Sequence, residues 1–220
     1  MKTVIVIPAH NEEKTVASVV KKCRKYGTVI VVNDASNDST EKMAKEAGAI
    51  VITHKRNKGL GGALRTGFSK ALQLKADIII TLDADGQHVP EDIPKFIEKI
   101  NEGYVFVLGE RDLHRYPLVK KVGNFFLNRA TNLVCRTKLS DTESGFRAFT
   151  GDALKKMVLD AEKYEIATEI VKEVGRNRLK TANVPVDVPF YVKGVGVVDG
   201  IKNFLFLIKR RPHLKKLAYT

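Results

Sequence analysis

The chain has 220 residues, 44% of them hydrophobic, which is enough for a sizeable core and argues against global disorder. Its 38 Lys and Arg against 25 Asp and Glu give a formal charge of +13, favouring an anionic partner: nucleic acid, acidic lipid or a phosphorylated substrate. The two cysteines, Cys23 and Cys135, stand far apart, so neither a disulfide framework nor a zinc site is indicated.

"TVIVIP" (3–8) is short, β-branched and ended by proline, and predicts a buried strand. Residues 11–26 predict a helix, with Asn11 as its cap, acids near its start and bases near its end. A second strand is expected over 27–36, ending in Asn33-Asp34, and a helix over 38–48 stopped by Gly48. A third strand follows over 49–55. "KGLGGALRTGFSKALQLK" (58–75) opens a helix with glycines. It matches neither a Walker loop nor a clean G-x-G-x-x-G, so helix packing is the better reading of those glycines. A fourth strand over 76–85, a helix over 90–103 and a fifth strand over 104–111 complete the alternation.

Crossovers of more than ten residues between continuous apolar strands imply a mainly parallel sheet with helices on both faces. In such sheets ligands bind beyond the carboxyl ends of the strands. Chemistry collects at those ends here: Pro8, His10 and Glu12; Asn33 and Asp34; Asp83 and Asp85; Arg111.

After residue 112 the pattern changes. Over 116–136, Leu118, Val119, Val122, Phe125, Phe126, Ala130, Leu133 and Val134 share one helical side; Lys120, Lys121, Asn124, Asn128 and Asn132 share the other. The apolar side suits either the core or a membrane surface. Residues 140–154 predict a polar loop leading into a helix, 165–177 a further helix, and 181–190 an edge strand that tolerates its prolines. The last helix, 197–216, pairs an apolar face (Val197, Val198, Ile201, Phe204, Leu205, Ile208) with a basic cluster, as a helix lying on anionic lipid would. A dimer contact is the rival explanation. A catalytic domain over 1–195 and an interfacial segment over 196–220 are expected. No run approaches the roughly 20 apolar residues of a spanning helix, and the apolar start is too short for a signal peptide. The expected location is cytoplasmic, peripheral on the membrane's cytoplasmic face.

"TLDADGQHVP" (81–90) carries the sharpest signal. If the strand geometry continues, Asp83 and Asp85 share a face and converge on one ligand. Two close carboxylates ask for a cation, and hard oxygen donors select Mg²⁺ or Mn²⁺, which keep waters and hold phosphates. Gln87 adds a neutral oxygen and Gly86 permits the turn. His54, His114 and His213 have no ligand-like spacing, and surface or core roles are expected for them.

"VIPAHNEE", "VVNDASNDST", "NKGLGGALRTGF", "TLDADGQHVPEDI" and "SDTESGFRAF" occur in order. Together they resemble the family 2 glycosyltransferases of GT-A fold, and most of all the dolichyl-phosphate mannosyltransferase (polyprenyl-phosphate glycosyltransferase) branch, over roughly residues 1 to 190. The resemblance implies a Rossmann-like α/β sheet and a metal-dependent, inverting transfer of a hexose from a nucleotide sugar to polyprenyl or dolichyl phosphate. It assigns Pro8, His10, Glu12, Val32, Asp34, Asp83, Ala84, Asp85 and Gln87 to the nucleotide sugar, with Asp34 receiving the base. Asp85 and Gln87 would bind the metal. Asp83, Asp85, Arg111 and Arg129 would carry catalysis, and Arg129, Asp141, Ser144 and Arg147 would meet the acceptor. Were the acceptor a hydroxyl, Asp141 or Glu143 would be the candidate base. GDP-mannose is the first-choice donor, with UDP-glucose or a UDP-N-acetylhexosamine as alternatives. His10 stands where the family often has an aromatic residue.

Two rivals are weaker. A haloacid-dehalogenase-like phosphatase would put its D-x-D on the first strand. A basic membrane- or nucleic-acid-binding module leaves the carboxylates without a task, and no nucleic acid partner is expected, because interleaved aromatics are lacking.

Overall fold

A computed structural model describes residues 1–111 and 118–188. The expected helix over 197–216, with its basic cluster, lies outside the described residues, as do His114 and His213.

The predicted alternation is present. Strands β1 (Thr3–Ala9), β2 (Thr28–Asn33), β3 (Ile50–Thr53) and β4 (Ile78–Thr81) alternate with helices α1 (Val16–Cys23), α2 (Thr40–Glu46) and α3 (Gly59–Gln73). A short 3₁₀ turn, Pro90–Asp92, leads into α4 (Ile93–Asn101), then β5 (Phe106–Arg111) and α5 (Leu118–Cys135). The chain continues through β6 (Arg147–Thr150), α6 (Gly151–Lys155), α7 (Ile166–Arg176) and β7 (Thr181–Val186). These strands form one seven-stranded sheet in the order β3-β2-β1-β4-β6-β5-β7. All neighbours are parallel except at β6, which runs antiparallel to both β4 and β5. β7 lies at the edge, as its prolines predict, with Pro185 opposite Glu110.

Strand alternation sends side chains to two cores. Val4, Val6, Ile30, Val32, Ile79, Phe106, Leu108 and Phe149 meet α3, α6 and α7 on one face. Ile5, Ile7, Val29, Val31, Ile78, Ile80 and Val107 meet α1, α2 and α4 on the other. The glycines of α3 serve packing. A Cβ on Gly61 would collide with the Ala161 carbonyl, and one on Gly67 with the Val6 side chain.

Three expectations need correction, and one choice left open is decided. The fourth strand stops at Thr81 instead of running to residue 85. Helix α1 starts at Val16, so Asn11 is not its cap; Asn11 has a φ of 57° and its side-chain oxygen accepts from the Asn37 amide at 2.9 Å. Part of the predicted loop over 140–154 is strand β6, inserted between β4 and β5. For α5, whose apolar side suited either the core or a membrane surface, Phe125, Phe126, Leu133 and Val134 do not enter the core. Its polar Asn128 and Asn132 face the protein and hold residues 137–142, whereas Phe125, Phe126, Leu133 and Val134 are 50–81% exposed.

The antiparallel insertion decides where the site forms. β1, β2, β4 and β5 deliver their carboxyl ends to one sheet edge. β6, running the other way, delivers its beginning, so Ser144 to Arg147 arrive at that same edge.

Candidate active site

At the end of β1 the chain turns sharply. The Asn11 amide donates to Ser36 Oγ at 2.9 Å and the Glu12 amide to Thr40 Oγ1 at 2.7 Å, tying this turn to the loop after β2. His10 is exposed, with Nδ1 2.9 Å from the Asp34 carbonyl oxygen. Asp34 is buried (4% exposed), and its carboxylate accepts from the Lys58 and Gly59 amides at 2.8 and 2.7 Å and from His54 Nδ1 at 2.6 Å. Pro8 pairs with Val32 in the ladder, and Val32 is fully buried in the core, so its side chain does not line the strand-end crevice.

Beyond β4, Gly86 takes a φ of 79° and the chain wraps around Asp85. Asp85 accepts from the Gln87 amide at 2.9 Å and from Gln87 Nε2 at 2.6 Å. Asp83 and Asp85 therefore leave a turn rather than a shared strand face. Asp83 lies against Gly145, where a Cβ would stand 2.6 Å from its Oδ2, and 3.2 Å from His88 Nε2. Ala84 between them is buried.

Electrostatics separate two carboxyls at this edge, Glu12 and Asp83. Glu12 is held above the ordinary carboxylate range, first by burial and then by the negative charges of Asp85, Asp38 and Asp83, although Thr15 donates to it at 2.9 Å. For Asp83, burial works upward, but the His88 hydrogen bond and the charges of His88, Arg147 and Arg111 outweigh it and hold the carboxyl below the usual range. So Glu12, Asp83 and Asp85 concentrate negative charge that a cation would relieve. No group of three or more His, Cys, Asp or Glu side chains forms a metal cage among the described residues. A hard cation such as Mg²⁺ or Mn²⁺ needs no such cage, since it is commonly held by one or two carboxylates and completed by phosphates and water. Asp85 and the Gln87 side-chain oxygen suit this role.

The other flank is cationic. At the end of β5, Arg111 forks onto Asp141, with Nε–Oδ2 at 2.5 Å and Nη2–Oδ1 at 2.8 Å. Asp141 is 3% exposed, so service as a base for a hydroxyl would require it to leave this fork. Ser144 is fully buried; its amide donates to the Asp141 carbonyl and its hydroxyl accepts from the Phe146 amide. Arg147 is 2% exposed and its Nε makes no hydrogen bond. Burial pushes its pKa down while the charges of Asp83, Glu143 and Asp141 oppose that shift. Arg129 lies apart on the solvent side of α5, over the Phe125 ring at 5.7 Å.

Sequence reasoning missed His88, whereas His54 takes the core role that was one of the two expected for it, buried between Asp34 and Thr66. His88 is 4% exposed, bonded to Asp83 and tilted on the Phe146 ring at 5.2 Å. Its position directly after Gln87 was a usable signal. The link between His54 and Asp34 spans twenty residues and had none.

A family model, Glycosyl transferase family 2, matches residues 4–158. The chain belongs to glycosyltransferase family 2. One relative of this family 2 glycosyltransferase is the UDP-N-acetylglucosamine–dolichyl-phosphate N-acetylglucosaminyltransferase of Methanococcus voltae, 37% identical over 93% of this chain and 94% of its own length. Another is the undecaprenyl-phosphate mannosyltransferase of Micrococcus luteus, 29% identical over 73% of this chain and 71% of its own length. Among solved structures, glucosyl-3-phosphoglycerate synthase from Mycobacterium tuberculosis superposes with a TM-score of 0.70 at 21% identity, covering 94% of this chain and 77% of that one. The fold is thus GT-A, and the polyprenyl-phosphate branch is supported by the relatives. Mannose, the first-choice sugar from the sequence, is not singled out by them. No helix among the described residues is long and apolar enough to cross a membrane.

Proposed function

We propose that this family 2 glycosyltransferase moves a sugar from a nucleoside-diphosphate donor to a polyprenyl (dolichyl) phosphate, with an N-acetylhexosamine from a UDP donor as the preferred cargo. The observation that carries the lipid acceptor is α5. Phe125, Phe126, Arg129 and Leu133 lie within an arc of about 100° on a helix of 3.6 residues per turn, and all four are exposed. Contiguous exposed apolar surface of this kind marks an interaction site, and a basic side chain within it suits a phosphate at a lipid interface. On its inner side the same helix grips residues 137–142, which carry Asp141 and thereby Arg111. The lipid-facing and phosphate-facing parts of the site are thus contiguous in structure. This supports a peripheral enzyme at the membrane surface. The preference for N-acetylhexosamine rests on the 37% identical Methanococcus relative; mannose from GDP-mannose is the second reading, favoured by the Micrococcus one.

In the reaction, an oxygen of the acceptor phosphate attacks the anomeric carbon. The bond from that carbon to the nucleoside diphosphate breaks, and the configuration inverts. The acceptor is already ionised, so no base is required. Charge grows on the leaving diphosphate. A divalent cation held by Asp85 and Gln87 would neutralise it as a Lewis acid; the synthase that shares the fold was solved in complex with Mn²⁺ and UDP. Asp83 bounds the donor sugar, and Arg111 presents positive charge to the acceptor phosphate.

The test is transfer by purified protein of radiolabelled sugar from UDP-N-acetylglucosamine, UDP-glucose or GDP-mannose to a short polyprenyl phosphate, with Mn²⁺ or with chelator. Chloroform-soluble product from the UDP-N-acetylglucosamine donor is expected, lost on chelation. Product from GDP-mannose alone would replace the sugar; no product from any donor would remove the proposal. Separately, Phe126→Asp with Leu133→Asp is expected to lower binding to anionic liposomes at least about tenfold, since burying two such side chains is worth about 1.5–3 kcal/mol each. Unchanged liposome sedimentation would free α5 of this role.

A further inference from the structure

Asp83 is held from two sides by residues that the transfer chemistry has not yet used. Its side chain remains 42% exposed at the strand end, so part of it faces outward while the rest leans on the protein. On one side stands Gly145. A Cβ there would lie 2.6 Å from Asp83 Oδ2 and 3.0 Å from Cγ and Oδ1, the three nearest atoms it would meet. Gly145 is itself fixed, because the buried Thr81 hydroxyl at the end of β4 donates to its carbonyl at 2.8 Å. The antiparallel pairing of β6 with β4, which sets Thr81 opposite Arg147, is what brings this glycine to the strand end.

On the other side stands His88, with a side chain only 3% exposed. A carboxylate accepts only, so Nε2 carries the proton that faces Asp83 Oδ2 at 3.2 Å. The ring is tilted on Phe146 at 5.2 Å, and Phe146 in turn stacks on Phe96 of α4 at 4.2 Å. Phe146 joins the two sides: it follows Gly145 in the chain and carries His88 in space. Nδ1 of His88 is buried and has no hydrogen-bond partner among the described residues. A buried nitrogen without a partner costs stability that an apolar side chain of similar size would not. Stability therefore gives no reason for an imidazole here; the Nε2 bond to Asp83 does.

We propose that Gly145 and His88 clamp the Asp83 carboxylate in one direction and are positioning residues for sugar transfer. The inference rests on the reading above, in which Asp83 bounds the donor sugar. The backbone alone does not hold Asp83 in line, since β4 ends at Thr81 and the chain turns at Gly86 with a φ of 79°. Gly145 keeps open the space that the carboxylate fills, and His88 supplies a donor of fixed direction. Both act on the donor sugar only through Asp83. Such placement matters because a shift of about 1 Å in a positioned group can cost about a hundredfold in rate.

The experiment measures transfer from UDP-N-acetylglucosamine to a short polyprenyl phosphate (from GDP-mannose, should the wild-type protein use that donor instead). Binding of the matching nucleoside diphosphate in Mn²⁺ is measured alongside by calorimetry. Both are run on the full chain and on His88→Leu, His88→Gln and Gly145→Ala. His88→Leu is expected to lower transfer about ten- to a hundredfold, the worth of a hydrogen bond to a charged group. The nucleoside diphosphate, which lacks the sugar, should bind as before. His88→Gln places an amide N–H near the position of Nε2 and should recover most of the loss, which a mere packing defect would not allow. Gly145→Ala pushes the carboxylate aside from the opposite wall. It should lower transfer with nucleotide affinity again unchanged, and it decides the point if His88→Leu does not fold. The Mn²⁺ concentration for half-maximal activity should stay at its wild-type value throughout. Wild-type transfer by both His88→Leu and Gly145→Ala overturns the inference and leaves the glycosyltransferase reading intact. Nucleotide affinity falling in step with transfer, or a shifted Mn²⁺ requirement, overturns it as well, because the variants would then disturb the site as a whole. No recovery in His88→Gln reduces His88 to packing. If the wild-type protein transfers sugar from neither donor, the glycosyltransferase reading itself falls, and this inference with it.

Discussion

Asp85→Asn is expected to lower sugar transfer by about 10²–10³-fold, the usual cost of losing one preorganised stabiliser of transition-state charge. The substitution keeps shape and removes only the negative charge. Among the described residues Asp85 forms no ion pair, and it is only partly buried, so thermal stability should move by no more than about 0.5 kcal/mol. The Gln87 turn survives, because an asparagine oxygen still accepts from the Gln87 amide. What disappears is the anionic ligand proposed for a divalent ion, so activity should also lose its dependence on Mn²⁺ concentration. A second readout follows from the charge cluster. Glu12 is held high mainly by burial and then by Asp85, Asp38 and Asp83. Removing the Asp85 charge lowers the Glu12 pKa, so its carboxyl ionises at lower pH in the variant; carbon-detected NMR titration measures this. Wild-type turnover by Asp85→Asn would remove Asp85 from the site.

The sequence shows the parallel half of the sheet because those strands carry nothing but core. "VIVI", "VIVV" and "IIIT" have no solvent face to alternate with, and each is bounded by turn residues. β6 escapes the same logic. It is four residues long and opens with the buried charge of Arg147, whose neighbours Asp83 and Asp141 come from elsewhere in the chain. Site chemistry is legible as a candidate where it is local: D-A-D-G-Q proposes a cation site whatever the backbone does. The geometry is not. Leu82 enters the core, the strand ends at Thr81, and the two aspartates part toward His88 and Gln87. The face of α5 was periodic and readable, but its orientation was not. Asn128 and Asn132 turn inward because residues 137–142 offer them carbonyls and amides, and no pattern within the helix records that.

Arg111→Leu is expected to destabilise the fold by about 3 kcal/mol, because it strands a buried carboxylate without its counter-charge. Asp141 is 3% exposed, and both of its oxygens accept from Arg111. For a domain of this size that loss corresponds to a fall in Tm of about 6–12 °C. Asp141 cannot simply turn to water: its loop is fastened to α5 through Asn128 and to the turn that begins β6 through the Ser144 amide. Asp141→Leu combined with Arg111→Leu should recover much of the loss, since two apolar side chains leave no charge to desolvate. Arg111→Lys separates the two roles of the residue. It keeps a positive charge but not the planar fork, so most stability should return while transfer stays reduced if, as proposed, Arg111 gives the acceptor phosphate a donor of fixed direction. Thermal melts of the three variants alongside transfer assays decide it. A melting temperature within about 2 °C of wild type for Arg111→Leu would mean that Asp141 finds another cation, Arg147 being one whose charge already interacts with it. Full transfer by Arg111→Lys would reduce Arg111 to a structural arginine.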